Sequence, residues 1–397
     1  MTDRLYYTDP YRTEFDAAVL EAMSVGGKPA VVLDTTAFYP TSGGQPFDTG
    51  SLGPARVLDV VESDAGQVVH VLDRELAAGD RVHGLVNWDR RFDHMQQHTG
   101  QHILSAAFDR LHKARTVGFH LGAVVSTIDL AVELSPQAIA EAETESNRLV
   151  FEDRPVAIRF VSGSEAAALP LRKESERTGT LRIIDVSDYD LSACGGTHVA
   201  RTGAVGLIAV LSSERVRGGT RVEFACGHRA LRAFRTFHEA VAACIHHLSV
   251  APDELPAAIE RLQAESKDHR KAIRGLQERL AEFEAAALAD AAEDVGGSRH
   301  VIQAVEGQDQ NGLKAMALAI CGRPGYQVAL FSTTTPTVAV LARSTDRPMD
   351  AGALLRALTA QFGGRGGGKP ELAQGGGLAG PLGDILRAAR EAMLAAK

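Results

Sequence analysis

Two stretches of the sequence carry histidine and cysteine at spacings that suit a metal ion. In residues 91–105, histidines recur every four residues, so in a helix they lie one turn apart on one face. Further along the chain, Cys194 and His198 flank a Gly-Gly-Thr segment that suits a tight turn. Imidazole nitrogen and thiolate sulfur are donors that zinc prefers. We therefore predict that His98, His102, Cys194 and His198 bind one zinc ion.

The spacing alone leaves the choice of helical histidines open. His94 and His98 are four residues apart, as are His98 and His102, so either pair could supply two ligands. No glutamate follows these histidines as in the HExxH pattern, which argues against a metalloprotease. A deaminase is also disfavoured, because the sequence lacks H-x-E with P-C-x-x-C. We interpret Cys226 as a buried cysteine at the end of a strand.

Two glycine-rich segments are further candidates. Gly43, Gly44 and Gln45 belong either to a turn between strands or to a loop whose backbone approaches a ligand. Gly363–Gly377 nearly matches a Walker A loop, but proline replaces the Ser/Thr that holds magnesium, which argues against nucleotide hydrolysis. We predict a flexible or nest-like basic loop instead, with Arg365 and Lys369 placed to contact phosphate groups of the substrate.

The pattern of the chain predicts an α+β multidomain protein. Alternating short strands in 1–90 predict a small β-barrel or sandwich. For residues 91–227 we predict an α+β domain with a mixed or antiparallel sheet. Its first element is a helix over 91–113. A helical arm follows over 228–295, and strands alternating with helices in 296–397 predict a last α/β domain.

The helical arm contains a heptad seam that requires a partner. Its positions are spaced alternately by four and three residues: Leu255, Ile259, Leu262, Ser266, His269, Ile273, Leu276, Leu280, Phe283 and Ala287. Such a seam is typical of a hairpin with another helix of the same chain or of a dimer contact. We favour the hairpin with the helix over 229–248.

Composition indicates an ordinary soluble protein. The 397 residues are 45% hydrophobic and 23% charged, and the start of the chain does not resemble a signal peptide. Four scattered cysteines do not suit a disulfide scaffold, so we expect a cytoplasmic protein without a membrane span. Net charge is −8, but residues 296–397 carry more Lys and Arg than Asp and Glu, so a polyanion would bind there more readily.

Three ordered motifs together resemble the alanyl-tRNA editing family, AlaX, in its long form, and the corresponding domains of alanyl-tRNA synthetase. They are His98-Thr-Gly-Gln-His102 with Cys194-Gly-Gly-Thr-His198, the segment 38–45 of the β-rich region, and the glycine-rich segment 363–376. No counterpart of the aminoacylation domain is present in this sequence.

The resemblance implies a trans-editing hydrolase that removes serine or glycine from mischarged alanine tRNA. It assigns the zinc ligands to His98, His102, Cys194 and His198 and leaves out His94. The sequence departs from the synthetase motif at Gln101, where threonine is often found, so we expect Gln101 to influence the choice between serine and glycine. We also expect a homodimer contact through the arm or the C-terminal domain.

Two other functions fit parts of the same pattern. A non-catalytic module that binds tRNA or helps assembly would use the zinc for structure only. A hydrolase for another aminoacyl ester, such as threonine tRNA charged with serine, would share the chemistry but bind a different tRNA. We prefer the deacylase of mischarged alanine tRNA, with one zinc per chain.

Overall fold

A computed structural model describes residues 2–172 and 179–395, so residues 173–178 of the second predicted domain and 396–397 of the last lie outside the described residues. The chain divides into two compact units, Met1–His246 and His247–Lys397. The helices are α1 (Trp88–His112), α2 (Pro136–Phe151), α3 (Gly163–Ala167), α4 (Gly227–Leu248), α5 (Leu255–Asp290), α6 (Gln310–Cys321), α7 (Ala351–Phe362) and α8 (Leu382–Ala395).

Most of the strands belong to antiparallel sheets or to a barrel. The strands are β1 (Asp3–Arg4), β2 (Glu14–Val25), β3 (Lys28–Leu33), β4 (Thr35–Thr36), β5 (Gly50–Leu52), β6 (Ala55–Glu62), β7 (Val68–Leu72), β8 (Arg81–Val86), β9 (Thr116–Leu121), β10 (Ser126–Leu130), β11 (Val156–Val161), β12 (Leu181–Val186), β13 (Asp190–Ala193), β14 (Ile208–Val216), β15 (Gly219–Cys226), β16 (Glu293–Val295), β17 (Ser298–Val305), β18 (Tyr326–Ser332), β19 (Thr337–Arg343), β20 (Arg365–Lys369) and β21 (Leu372–Leu378). The predicted α+β multidomain class is confirmed.

The β-rich region forms a closed barrel of six strands in the order β2-β3-β7-β6-β5-β8. Buried and exposed residues alternate along β8, as the period of a strand with one buried face requires. Gly84 lies on the buried face. A larger residue does not fit there, because a Cβ would lie only 2.4 Å from Cε1 of the Phe15 ring. Each large apolar side chain buried inside contributes about 1.5–3 kcal/mol.

The second part of unit 1 is built around α1. Asn87 caps the helix by accepting a hydrogen bond from the backbone N–H of Arg90, so the helix begins three residues before the predicted start at residue 91. Ile103, Leu104 and Phe108 are buried in its core. Two antiparallel sheets, β14-β15-β10-β9 and β11-β12-β13, stand where we predicted one mixed or antiparallel sheet.

Local signals in the sequence mark the start of the next helix, α2. The Ser135 side chain accepts a hydrogen bond from the backbone N–H of Ala138, and Pro136 occupies the first turn of α2. Cys226 is fully buried at the end of β15, as we predicted, and burial raises the pKa of its thiol.

Unit 2 contains a six-stranded sheet in the order β16-β17-β18-β19-β21-β20. The predicted basic loop is instead a β-hairpin, because Arg365–Lys369 pairs antiparallel with Leu372–Leu378. The glycines permit this pairing: a Cβ on Gly366 would lie 2.6 Å from the Cα of Gly375 and 2.8 Å from a methyl group of Leu355. The prediction of a loop was therefore wrong for this segment.

The heptad seam lies on α5, and six of its large apolar side chains are exposed. They are Ile259, Leu262, Ile273, Leu276, Leu280 and Phe283. The partner that covers this seam, whether a helix of the same chain or a second copy, stays a prediction. Among the described residues, no helix is long and apolar enough to cross a membrane.

Candidate metal centre

The four predicted ligands meet at one point in unit 1. The candidate ligand atoms of His98, His102, Cys194 and His198 all lie within 4.8 Å of one another. The Cys194 sulfur is 3.4 Å from Nε2 of His98 and 3.4 Å from Nε2 of His198. A tetrahedral zinc ion holds nitrogen and sulfur ligands about 3.5 Å apart, so this separation suits the ion.

Two of the histidines have their second ring nitrogen held by a neighbouring polar group. Nδ1 of His98 lies 2.9 Å from Oε1 of Gln45, and Nδ1 of His198 lies 3.1 Å from Oγ1 of Thr99. The Gln45 amide also donates to Oγ1 of Thr197 at 2.8 Å. These contacts leave Nε2 of each histidine for a metal, and such partners fix the orientation of the ring.

The third histidine is held by a carboxylate. Nδ1 of His102 lies 3.1 Å from Oδ2 of Asp190, which is 4% exposed. Arg172 donates to both oxygens of that carboxylate, and the Ser192 hydroxyl donates to Oδ2 at 2.9 Å. Burial alone would raise the pKa of Asp190, but His102 and Arg172 hold it well below its usual range. The ionised carboxylate therefore orients His102 as a carboxylate-histidine pair does in metal sites.

Electrostatics favours the forms of these side chains that bind metal. Burial, with a smaller effect of the Arg182 charge, lowers the pKa of His98 to about 3, and burial also lowers the pKa of His198 well below its usual value. Burial alone would raise the pKa of Cys194, but His102, the Gly196 backbone N–H and Arg182 together lower it. Neutral imidazoles and a readily ionised thiol are the forms that a metal requires.

The Gly-Gly turn in the second motif allows the helix to approach. A Cβ on Gly196 would lie 2.2 Å from Cε1 of His98, whereas a Cβ on Gly195 would meet nothing closer than 3.8 Å. The first glycine is therefore replaceable on steric grounds, and the second is not.

Gly196→Ala is expected to lower zinc affinity at least about tenfold, because the added methyl group displaces the His98 ring from its position. Gly195→Ala is the matched control and should retain the zinc affinity of the wild type. Zinc titration with a competing chelator, together with melting temperature, measures both. Equal affinities of the two variants would contradict the steric argument.

A cavity of about 550 Å³ opens onto the candidate ligands His98, His102 and Cys194. Gly43 and Gln101, which we predicted to bind substrate, also line it. The other four residues that we predicted to contact substrate do not line this cavity. The backbone of Gly44 packs on Phe119, Gln45 is buried against His98 and Thr197, and Arg365 and Lys369 are exposed on β20 of unit 2.

His94 does not join the other histidines. It lies one turn before His98 on α1, is 3% exposed, and lines a different cavity. The geometry therefore separates the three equally spaced histidines into one pair at the cluster and one residue outside it.

Sequence reasoning missed the partners that hold the ligands in place. Asp190, Ser192 and Cys194 alternate along β13 and just beyond it, so a period of two could have placed all three on one face. No local pattern in the sequence indicates that Arg182 belongs to the site. Its Nη1 donates to the carbonyl oxygens of Cys194 (2.7 Å) and Gly196 (2.9 Å), and its buried Nη2 has no hydrogen-bond partner in the part of the chain that the structure describes.

Models of three known families match parts of the chain. Residues 10–90 match tRNA synthetases class II (A), residues 181–223 match the threonyl and alanyl tRNA synthetase second additional domain, and residues 297–395 match the DHHA1 domain. The second match contains Cys194 and His198.

Proteins similar to the chain include two kinds, alanine–tRNA ligases and an alanyl-tRNA editing protein. The alanine–tRNA ligases of Methanoregula boonei and Pyrococcus furiosus are each 35% identical to the chain, over 95% and 94% of it, and the chain spans 42% of the length of either. The alanyl-tRNA editing protein AlaX-L of Pyrococcus horikoshii is 32% identical, and the match covers 94% of both proteins.

Proposed function

We propose, from the premise that the chain belongs to the alanyl-tRNA editing protein family, that it hydrolyses the ester between a wrong amino acid, serine or glycine, and alanine tRNA in the cytoplasm. The observation that carries the proposal is the cluster of three imidazoles and one thiol, of which His98, His102 and Cys194 line a cavity. The match over 94% of the editing protein AlaX-L supports it further.

The donor set fits one zinc ion. Nε2 of each of the three histidines and the Cys194 sulfur would hold the metal, because Gln45, Asp190 and Thr99 already contact the other nitrogens. A zinc ion bound there would supply Lewis acidity, which lowers the pKa of a water molecule or polarises an ester carbonyl group that joins the four protein ligands or replaces one of them.

Residues of the chain contribute binding and orientation. In the reaction, a water oxygen bonds to the ester carbon and the bond from that carbon to the ribose oxygen breaks. One water proton ends on the ribose oxygen, and the products are the free amino acid and tRNA. Arg182 lines the cavity, and we assign its positive charge to the binding of an oxygen of the substrate.

We assign the choice between serine and glycine to Gln101. Its Nε2 donates to the Ser105 hydroxyl at 2.8 Å, while its Oε1 accepts no hydrogen bond among the described residues. That oxygen is available to the hydroxyl group of a seryl ester, which a glycyl ester lacks.

Gln101→Ala is expected to slow serine release about fivefold relative to glycine release, since one hydrogen bond contributes about 1 kcal/mol. The ratio of kcat/KM for the two mischarged tRNAs measures this effect. A ratio equal to that of the wild type would remove Gln101 from the specificity argument.

The test of the proposed function is release of serine, glycine and alanine from alanine tRNA by the zinc-loaded protein. We expect rapid release of serine or glycine and little release of alanine, loss of activity after chelation, and recovery on addition of zinc. No release from any of the three would overturn the proposal. If zinc removal lowers the melting temperature and the loaded protein binds tRNA without turnover, the metal is structural.

Exchange of the tRNA tests the second alternative. Faster serine release from threonine tRNA than from alanine tRNA would assign the chain to a different aminoacyl ester. We also propose that Arg365 and Lys369, exposed on β20, contact tRNA phosphates.

A further inference from the structure

A second cavity lies in unit 1, next to the one at the metal centre. Its volume is about 880 Å³, and four arginines but only two aspartates line it. The side chains that matter for its chemistry are Trp88, Phe92, His94, Arg229, Arg232 and Arg235.

The two cavities share the same supporting segments. Along α1, His94 lines the second cavity and His98 lines the first, about 6 Å further along the helix axis. Gly43 lines the first and Pro46 the second, and β9 with its following turn contributes Phe119 to the first and Gly122 to the second. The two cavities therefore lie a few residues apart along three segments of unit 1.

Two of the arginines are free to bind an anion. Arg229 is occupied, because it donates to both Asp93 oxygens and, at 2.6 Å, to the carbonyl oxygen of Gly122. Arg232 and Arg235, on the first turns of α4, are exposed and form no ion pair within the described part of the chain. Guanidinium groups in this state suit the phosphates of a nucleic acid.

The same cavity has an aromatic wall. The rings of Trp88 and Phe92 stack with centroids 5.2 Å apart and an interplanar angle of 27°. The ring of Tyr11 also lies against Trp88, with centroids 5.5 Å apart and an interplanar angle of 42°, but Trp88 is still 37% exposed, and a ligand can contact that exposed part of the ring. Aromatic side chains beside a basic groove are the usual means of binding single-stranded nucleic acid.

His94 provides an independent sign of a ligand. The residue is 3% exposed, yet its Nδ1 has no hydrogen-bond partner among the described residues. Buried polar atoms in proteins are nearly always paired, so an unpaired one on a cavity wall suits a polar group supplied by a ligand.

We propose that this second cavity binds the single-stranded 3′ segment of tRNA that precedes the aminoacylated ribose. Arg232 and Arg235 contact its phosphates, Trp88 stacks on a base, and His94 hydrogen-bonds to a polar base atom. The assignment rests on the proposed function, since it takes the aminoacylated end to lie in the first cavity.

The test is the affinity of the full chain for uncharged alanine tRNA, measured by fluorescence anisotropy. Arg232→Gln with Arg235→Gln should weaken binding about tenfold and make the salt dependence shallower, because two phosphate contacts are lost. The matched control, Arg81→Gln with Arg217→Gln, removes the same charge from exposed arginines that line neither cavity, and it should bind within about twofold of the wild type. Trp88→Ala should weaken binding about fivefold, and a melting curve checks that this variant is folded.

The location of the contact is tested with tRNA that lacks its unpaired 3′ nucleotides. The penalty of the Arg232/Arg235 double substitution should disappear on this truncated tRNA, since the contacted phosphates are absent. Equal affinity of the wild type and the double variant for intact tRNA would overturn the proposal, as would a penalty that persists on truncated tRNA. The proposal would also be overturned if the cavity bound a free mononucleotide but the cavity variants bound intact tRNA as tightly as the wild type.

These measurements do not depend on turnover. If the wild type releases no amino acid but the cavity variants lose tRNA affinity on intact tRNA alone, the proposed function fails and the RNA site stands. If the wild type deacylates tRNA and the cavity variants bind intact tRNA normally, the RNA site fails and the proposed function stands.

Discussion

Cys194→Ala is expected to abolish zinc binding and to lower kcat/KM for mischarged alanine tRNA by at least about a hundredfold. Loss of a partner outside the ligand shell already costs 10–100-fold at metal sites, and here a ligand itself is removed. The Cys194 sulfur lies 3.4 Å from two of the imidazole nitrogens, so the alanine would leave three neutral nitrogen donors. Zinc content of the purified protein and the rate of serine or glycine release measure the effect.

Cys244→Ala is the matched control for this substitution, because Cys244 is also a free cysteine but is exposed on α4. It should retain one zinc per chain and the rate of the wild type. Retention of zinc and of more than half of the activity by Cys194→Ala would show that this thiol is not a ligand.

Arg91→Met is expected to lower the free energy of unfolding of unit 1 by about 3–5 kcal/mol, the cost of breaking a buried ion pair. Arg91 and Asp48 are both fully buried, and the guanidinium group contacts both carboxylate oxygens. It also donates to the carbonyl oxygens of Pro10 (2.7 Å) and Ala37 (2.5 Å). The substitution leaves the carboxylate and both carbonyl groups buried without these donors, which methionine cannot replace.

Arg221→Met serves as the control, because Arg221 makes a similar bidentate contact with Asp129 at a partly exposed position. It should cost less than about 1 kcal/mol. Urea unfolding followed by circular dichroism gives both values, and similar values for the two variants would refute the role of burial. Because Arg91 joins the barrel to α1, and the barrel supplies Gln45 to His98, the Arg91 variant should also lose zinc affinity.

The sequence by itself determined the features that depend on neighbours along the chain. Three histidines with a period of four on an amphipathic helix, and Ser135 with Pro136 at the start of α2, are local patterns, and local patterns decide helix formation. The alternation of short strands was sufficient to predict a small barrel or sandwich, because buried and exposed residues must alternate in a strand with one buried face. The resemblance between motifs added the choice of His98 and His102.

Only the tertiary structure decided which side chains meet across long stretches of sequence. Gln45 comes from the barrel and Asp190 from β13, and their contacts with the α1 histidines depend on packing that no local pattern encodes. The glycine-rich segment 363–377 has few side chains to signal a strand, so its pairing into a hairpin followed from the sheet beside it. His94 shares its spacing with the two ligands, but Cys194 and His198 approach α1 one turn further along, which leaves His94 in the second cavity.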